Sequence, residues 1–276
     1  DFINVSSYQD NLLLLDLPQL RNTIEEHMNI YDYVFITLLL GNDFMPHFPS
    51  LQLRMNGMDI LLDTYKSLFS KGMNLYDGKV NWINVRKLIQ TLSIHEQKRI
   101  QENDKIRAKT RRDRKDINDI PIMSREVETY INPYESYWED RYYSVLFHSE
   151  PTPSFKKQVC HAYTDILMWN MHYYVNGCKD WELFYPYGYA PLLKDLVHHL
   201  PNDTKTVYAP TSPLTANQLL AYVMPEAYLN YLPKDVQVKV KDKEWYSRHF
   251  PLEWAYCKYF WECHVKFPTI PLDLSL

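Results

Sequence analysis

Residues 33–47 read Tyr-Val-Phe-Ile-Thr-Leu-Leu-Leu-Gly-Asn-Asp-Phe-Met-Pro-His, and this stretch decides how the fold is interpreted. Its uninterrupted apolar run is predicted to be buried on every side. Gly41 follows the run and is suited to end a helix, because glycine readily adopts a left-handed conformation. The stretch therefore places the carboxylate of Asp43 at the rim of the core, on a loop that packed neighbours hold rigidly.

The residues alone allow two interpretations of Asp43. Asp frequently caps the turn that follows it, and in that case Asp43 is structural. A carboxylate on a rigid loop is also a suitable metal ligand, since a metal site needs its ligands fixed by packed neighbours. Without further information the capping interpretation is favoured.

The wider stretch changes that balance by resemblance. Residues 39–51, followed by Arg-Met-Asn-Gly-Met-Asp at 54–59, resemble the second conserved region of the Xrn-type 5′→3′ exoribonucleases. Flap endonucleases carry Gly-Ser-Asp-Tyr there, followed by a glycine-rich turn, whereas Pro-His-Phe-Pro follows here. The resemblance implies that Asp43 is one of several carboxylates that hold catalytic Mg²⁺ (or Mn²⁺). Asn42 and the ring of His47 would brace the loop, and a direct metal ligand is the alternative role for His47. Arg54 is a candidate RNA contact, because its spacing of five from Asp59 is poor for an ion pair on one helix.

A second resemblance covers the aromatic stretch 169–191, which ends in Tyr-Pro-Tyr-Gly-Tyr-Ala-Pro. In the exoribonucleases a tryptophan of this segment stacks on the 5′ nucleotide. Trp181 matches the first of the family's two tryptophans, and Leu183 replaces the second. Base stacking on aromatic rings is tolerant of sequence, which suits a processive nuclease. If the stacking tryptophan is the first of the two, the resemblance implies that Trp181 and Tyr185 contact RNA. If it is the second, this chain has lost the stacking residue.

Residues 135–143, with Tyr142 in a Tyr-Tyr pair, resemble a further family motif, and Tyr142 becomes another candidate RNA contact. The alternative is that the rings of these segments are core residues wedged between helices. That alternative is favoured for Trp169, Tyr173 and Tyr187, whereas Trp181 fits either interpretation.

Composition limits the classes of protein that the chain fits. Only 6 glycines among 276 residues argue for a helix-rich protein. A net charge of −4 excludes a chain that binds nucleic acid through its overall charge. The one charge-biased segment, 98–116, holds nine basic and four acidic residues. It is either a phosphate contact or, as the favoured alternative, a solvated helix and linker.

The predicted fold is mainly α, an irregular multi-helix domain that packs against an α/β nuclease domain absent from this chain. Three parts are predicted: 1–97 with the metal loop, 98–119 as a charged linker, and 120–276 as a helical, aromatic-rich domain. Periodicity and capping residues predict helices over 19–28, 53–69, 82 to beyond 96, 159–174, 214–223 and 254–265.

Four scattered cysteines, Cys160, Cys178, Cys257 and Cys263, form no Cys-x-x-Cys pair and indicate reduced core residues. No signal peptide and no apolar run of ~20 residues is present, so no membrane partner is expected. We therefore expect an intracellular protein, in the cytoplasm rather than the nucleus. Because residue 1 is Asp, we also expect the chain to be a piece of a longer protein.

The resemblance implies a functional hypothesis. The chain would be the helical part of a Mg²⁺-dependent 5′→3′ exoribonuclease that degrades RNA with a 5′ monophosphate. An upstream N-terminal nuclease half would supply most metal ligands, so this chain alone is expected to be inactive. The alternative is a catalytically inactive RNA-binding or structural scaffold domain of the same family.

Overall fold

A computed structural model describes residues 15–109, 122–203, 209–241, 243, 245–246 and 250–266. Two short strands, β1 (Leu252–Glu253) and β2 (His264–Val265), pair antiparallel, and the rest of the regular structure in these ranges is helical, as predicted. Short 3₁₀ turns span Leu53–Met55, Glu226–Tyr231 and Phe260–Glu262. The α-helices in the described ranges are α1 (Leu17–Glu25), α2 (Ile30–Leu38), α3 (Gly57–Leu68), α4 (Trp82–Ile94), α5 (Glu96–Ala108), α6 (Glu126–Ile131), α7 (Trp138–Leu146), α8 (Pro153–Asn176), α9 (Leu193–His199), α10 (Ala216–Val223) and α11 (Lys234–Val240).

One extensive hydrophobic core in the described ranges runs from Met28 through α9 and includes Ala255. It therefore contains side chains from both sides of the charged segment. The first part of that segment is α5, whose Ile100 is a core residue, whereas 110–116 lie outside the described residues. The predicted boundaries at 97 and 120 stay a prediction. A small separate cluster joins α10 and α11 through Ala221, Leu232, Val236 and Val240.

The apolar run of the opening stretch forms α2, and Gly41 follows its last turn with φ +83°. A Cβ on Gly41 would lie 2.6 Å from the backbone nitrogen of His47, so the position requires glycine for space as well as for conformation. The prediction that Gly41 follows the end of a helix is confirmed. The prediction of burial on every side was too strong, because Tyr33 and Val34 are only half-buried.

Helix α8 is the longest described helix and supports the loops discussed below. The side chain of Thr152 caps its N-terminus by accepting from the backbone N–H of Phe155 at 3.2 Å. Gly177, with φ +83°, ends the helix where the sequence predicts. The expected start of α10 is also found, since Thr215 and Gln218 form a capping box.

The helix predicted over 254–265 is wrong. The chain forms the β1–β2 pair there, and Tyr256 has φ +63°. A carboxylate oxygen of Glu262 accepts hydrogen bonds from the backbone N–H groups of Lys258 (2.6 Å) and Tyr259 (3.1 Å). These bonds give the backbone an alternative to the helix, which apolar spacing does not reveal.

Several other boundaries differ from the prediction. Helix α8 begins at Pro153, before the predicted 159, and the helix predicted from residue 53 is a 3₁₀ turn followed by α3 from Gly57. The helix expected to continue past Glu96 breaks at His95 into α4 and α5. Helix α1 ends at Glu25, before the predicted Met28. Among the described residues, none of the helices has the length and apolar character needed to span a bilayer.

Candidate metal and nucleic-acid site

The loop after α2 is organised by Asn42. Its backbone N–H donates to the carbonyl oxygen of Met45 at 2.9 Å. Its side-chain Oδ1 accepts from the backbone N–H groups of Phe44 (2.9 Å) and Met45 (3.1 Å). Asn42 therefore caps this turn, which is the role that the sequence analysis considered for Asp43.

The carboxylate of Asp43 is exposed, and no donor among the described residues forms a hydrogen bond or ion pair with it. A carboxylate in this state is chemically suited to bind a hard cation such as Mg²⁺. Mg²⁺ prefers about six oxygen ligands, and in the described part of the chain no three His, Cys, Asp or Glu side chains converge on one point. Asp43 therefore fits the role of one protein ligand in a metal site, and the described part of the chain does not supply a complete set of ligands.

Both neighbours of Asp43 are attached to α8. The Nδ2 of Asn42 donates to Oδ1 of Asn170 at 2.9 Å. The ring of Phe44 packs edge-on against Trp169 and Tyr173, with centroid distances of 5.0 and 5.4 Å. One hydrogen bond, made by Asn42, and two aromatic contacts, made by Phe44, thus hold the loop from either side of Asp43.

Trp169 also positions the segment that contains Trp181. Its indole Nε1 donates to the carbonyl oxygen of Asp180 at 2.8 Å, and the backbone N–H of Trp181 donates to Oγ1 of Thr211 at 2.7 Å. Trp181 itself is 54% exposed, so the segment is anchored while its tryptophan stays accessible. Trp169 therefore links the Asp43 loop to the Trp181 segment.

The structure contradicts two of the candidate RNA contacts. Tyr142 is 0% exposed and donates its hydroxyl to the carbonyl oxygen of Ala190 at 2.7 Å. Tyr185 is 8% exposed and donates to the carbonyl oxygen of Tyr189 at 2.8 Å. Burial raises the pKa of both phenols well above the usual value. Rings enclosed in the core cannot stack on a base.

Four aromatic rings that were not predicted as RNA contacts are exposed. Phe44, Tyr173, Tyr174 and Phe184 are exposed, although Tyr173 was expected in the core. The sequence could have indicated that one of the two adjacent tyrosines is exposed, because adjacent residues on a helix point in different directions. Tyr173 and Tyr174 therefore cannot both face the same core.

His47 and Arg54 line a cavity of about 300 Å³ beside the β1–β2 pair. Burial lowers the pKa of His47 to about 4, so its ring is neutral near pH 7. The guanidinium of Arg54 forms an ion pair with Glu262 and lies 4.8 Å from the ring centroid of Trp261. The backbone of His47 packs against Gly41, so this residue contacts the loop through its main chain.

These features define a helical domain in which the carboxylate of Asp43, unpaired among the described residues, lies next to the exposed ring of Phe44. Comparison with known proteins identifies the class: residues 23–133 and 123–273 match the family described as the Xrn1 helical domain. The chain belongs to this family, and the resemblance found in the sequence is confirmed.

Individual relatives carry exoribonuclease names. The 5′-3′ exoribonuclease 2 homolog of Drosophila melanogaster is 26% identical over 98% of this chain and 36% of its own length. The 5′-3′ exoribonuclease 2 of Arabidopsis thaliana is 24% identical over the same shares, 98% and 36%. A Saccharomyces cerevisiae 5′-3′ exoribonuclease 2 is 27% identical over 55% of this chain and 16% of its own length. The chain thus spans about a third of the length of the first two relatives.

Proposed function

We propose that this chain is the helical part of a Mg²⁺- or Mn²⁺-dependent 5′→3′ exoribonuclease that degrades RNA with a 5′ monophosphate. The observation that carries the proposal is the exposed, unpaired carboxylate of Asp43 on a loop attached to α8 from both sides. The names of the family's relatives supply the reaction class.

Asp43 would hold the metal together with ligands from an upstream nuclease half. When bound, the metal activates the attacking water and stabilises the charge on the leaving oxygen. Because no three possible ligands converge among the described residues, the chain by itself is expected to be inactive. Asn42 would keep the loop in shape, and the neutral ring of His47 would add no charge beside it.

RNA would be held mainly by stacking. Trp181 is the proposed base platform, and the exposed rings of Phe44 and Tyr173 extend aromatic surface on the Asp43 side of α8. Stacking on one ring is worth about 1–3 kcal/mol per base. Arg54 is a weaker proposal as an RNA contact, since Glu262 already pairs with its guanidinium.

The test is digestion of 5′-monophosphorylated single-stranded RNA by this chain assembled with its nuclease half, in Mg²⁺. Asp43→Ala should reduce the rate at least about 100-fold, because a ligand of the catalytic metal is lost. Asp63→Ala, which removes an exposed acid on α3, is the matched control and should retain activity. Equal activity of the two variants would refute the metal role of Asp43.

The alternative is an inactive scaffold that binds RNA or serves only as structure. Leu183 favours it, because an aliphatic side chain stands where the resemblance has a second tryptophan, and this side chain packs against the core. An assembled, folded protein that binds RNA but does not digest it would support this alternative.

A further inference from the structure

A polar residue, Asn170, lies fully enclosed in the middle of α8. Its Nδ2 donates to the carbonyl oxygen of Ile166 on the preceding turn at 2.9 Å. Its Oδ1 accepts the bond from Nδ2 of Asn42 at 2.9 Å. A buried amide is costly to leave without partners, so Asn170 favours one orientation of the Asn42 side chain.

That orientation determines the bonds in the loop. An asparagine amide has a donor end and an acceptor end. With the donor end of Asn42 directed at Asn170, its Oδ1 faces the loop and accepts from the backbone N–H groups of Phe44 and Met45. A continuous series of hydrogen bonds therefore runs from the backbone of α8 to the residues that follow Asp43.

We propose that Asn170 is a positioning residue that holds the Asp43 carboxylate in the orientation needed to bind a divalent cation. The inference rests on the proposed function, because it takes Asp43 as a metal ligand. Asn170 acts through Asn42, since its side-chain hydrogen bonds to described residues go to Asn42 and to Ile166. Residues that orient a metal ligand typically change metal affinity or activity about 10–100-fold when they are replaced.

Helix α8 itself offers a matched control. Thr164 is also buried, and its Oγ1 donates to the carbonyl oxygen of Cys160, again one turn earlier, at 2.8 Å. Thr164→Val and Asn170→Leu each replace a buried polar side chain with an apolar one of similar size. Both remove a bond to the helix's own backbone, and Asn170→Leu also removes the bond to the loop. The difference between the variants isolates the link to Asn42.

The first measurement is the Mg²⁺ concentration that gives half-maximal RNA digestion by this chain assembled with its nuclease half. Asn170→Leu should raise it about tenfold, and Thr164→Val should leave it unchanged. Loss of stability alone lowers the amount of active protein without changing this concentration. Equal Mg²⁺ dependence of the two variants would overturn the role of Asn170.

The second measurement is backbone hydrogen exchange at Phe44 and Met45 in the same assembled protein. Asn170→Leu should accelerate exchange there about fivefold or more, as expected when a bond worth roughly 1 kcal/mol is lost. Exchange that matches Thr164→Val would contradict the inference.

Asp43→Asn, measured alongside, separates the inference from the proposed function. If Asp43→Asn leaves the Mg²⁺ dependence unchanged, the metal role of Asp43 fails, and the positioning role fails with it. If Asp43→Asn changes that dependence and Asn170→Leu does not, only the role of Asn170 fails.

Discussion

Two carboxylates close together in the sequence, Asp32 in α2 and Asp43 in the loop after it, have opposite surroundings. Asp32, in the first turn of α2, is completely buried and accepts from the Tyr65 hydroxyl at 2.6 Å. It also accepts backbone N–H groups of the segment that follows α3, from Asn74 (2.7 Å), Leu75 (2.8 Å) and Tyr76 (3.0 Å). Asp43 is exposed and has none of these bonds.

The difference separates a carboxylate with a structural role from one that we propose as a metal ligand. Both oxygens of Asp32 are occupied by donors, so the residue joins α2, α3 and the following segment and has no capacity for a ligand. Asp43 stabilises nothing through its side chain, while its neighbour Asn42 makes the bonds that shape the loop. A carboxylate that a fold positions but does not use is available for chemistry.

The largest expected effect comes from making the same substitution at both acids. Asp32→Asn should lower the free energy of unfolding by about 3 kcal/mol or more, because an amide N–H₂ would face backbone donors in a buried site. Asp43→Asn should change it by no more than about 0.5 kcal/mol, as exposed substitutions usually do. Urea unfolding of the assembled protein measures both. Comparable losses would remove the distinction between the two residues.

The buried carboxylate of Glu96 extends the comparison to pH. It accepts from the backbone N–H groups of Leu193 (2.7 Å) and Lys194 (3.1 Å) at the start of α9. Burial raises its pKa from 4.5 to about 7, with Asp195 acting in the same direction and the two N–H bonds and Arg99 opposing.

Because the folded state binds the proton of Glu96 more tightly than the unfolded state, this residue contributes stability that is full below about pH 4.5. The contribution should decrease by up to about 3 kcal/mol as the pH rises to 7. Unfolding measured across this range should show the decrease, and Glu96→Gln should flatten it. Glu102→Gln, an exposed acid of α5, is the control. An unchanged pH profile for Glu96→Gln would contradict the expectation.

A third experiment tests the rigidity of the Asp43 loop. Gly41 and Gly177 both have φ +83°, but a Cβ would meet the backbone of His47 at 2.6 Å only at Gly41, with nothing within 4 Å at Gly177. Alanine at either position should cost about 1–2 kcal/mol for the backbone conformation. Gly41→Ala should cost at least about 1 kcal/mol more, because the two backbone segments must separate. If both alanine variants lose the same free energy of unfolding in urea, the Asp43 loop is not rigid, because it accommodates the added Cβ without further cost.

The smallest expected effect concerns the aromatic rings. Trp181→Ala should weaken binding of a 5′-monophosphorylated oligonucleotide by about 1 kcal/mol and leave stability within about 0.5 kcal/mol. Tyr185→Phe removes the buried hydroxyl bond, so it should reduce stability by about 1 kcal/mol and leave affinity unchanged. Fluorescence anisotropy in buffer with EDTA, which removes divalent cations so that a metal-dependent nuclease cannot digest the probe, measures the affinities. Unchanged affinity for Trp181→Ala would remove it as the stacking residue.

Several structural elements follow directly from local sequence. The apolar period of α8 and Gly177 at its end were predicted correctly, because both depend on residues within a few turns, whereas the start of α8 at Pro153, with its Thr152 cap, was missed. The structure of residues 254–265 could not be predicted from local sequence in this way. Its shape depends on Glu262 bonding to nearby backbone and on pairing between β1 and β2, and apolar spacing carries neither signal.

The sequence by itself determined the helical character of the chain, the end of α2 before Gly41 and the motif that contains Asp43, because these depend on neighbouring residues. Only the tertiary structure decided that Asp43 is free and Asn42 bonded, that Tyr142 and Tyr185 are enclosed, and that Trp181 is accessible. The physical reason is that burial and hydrogen bonding depend on partners far apart in the chain, as in the bond between Asn42 and Asn170.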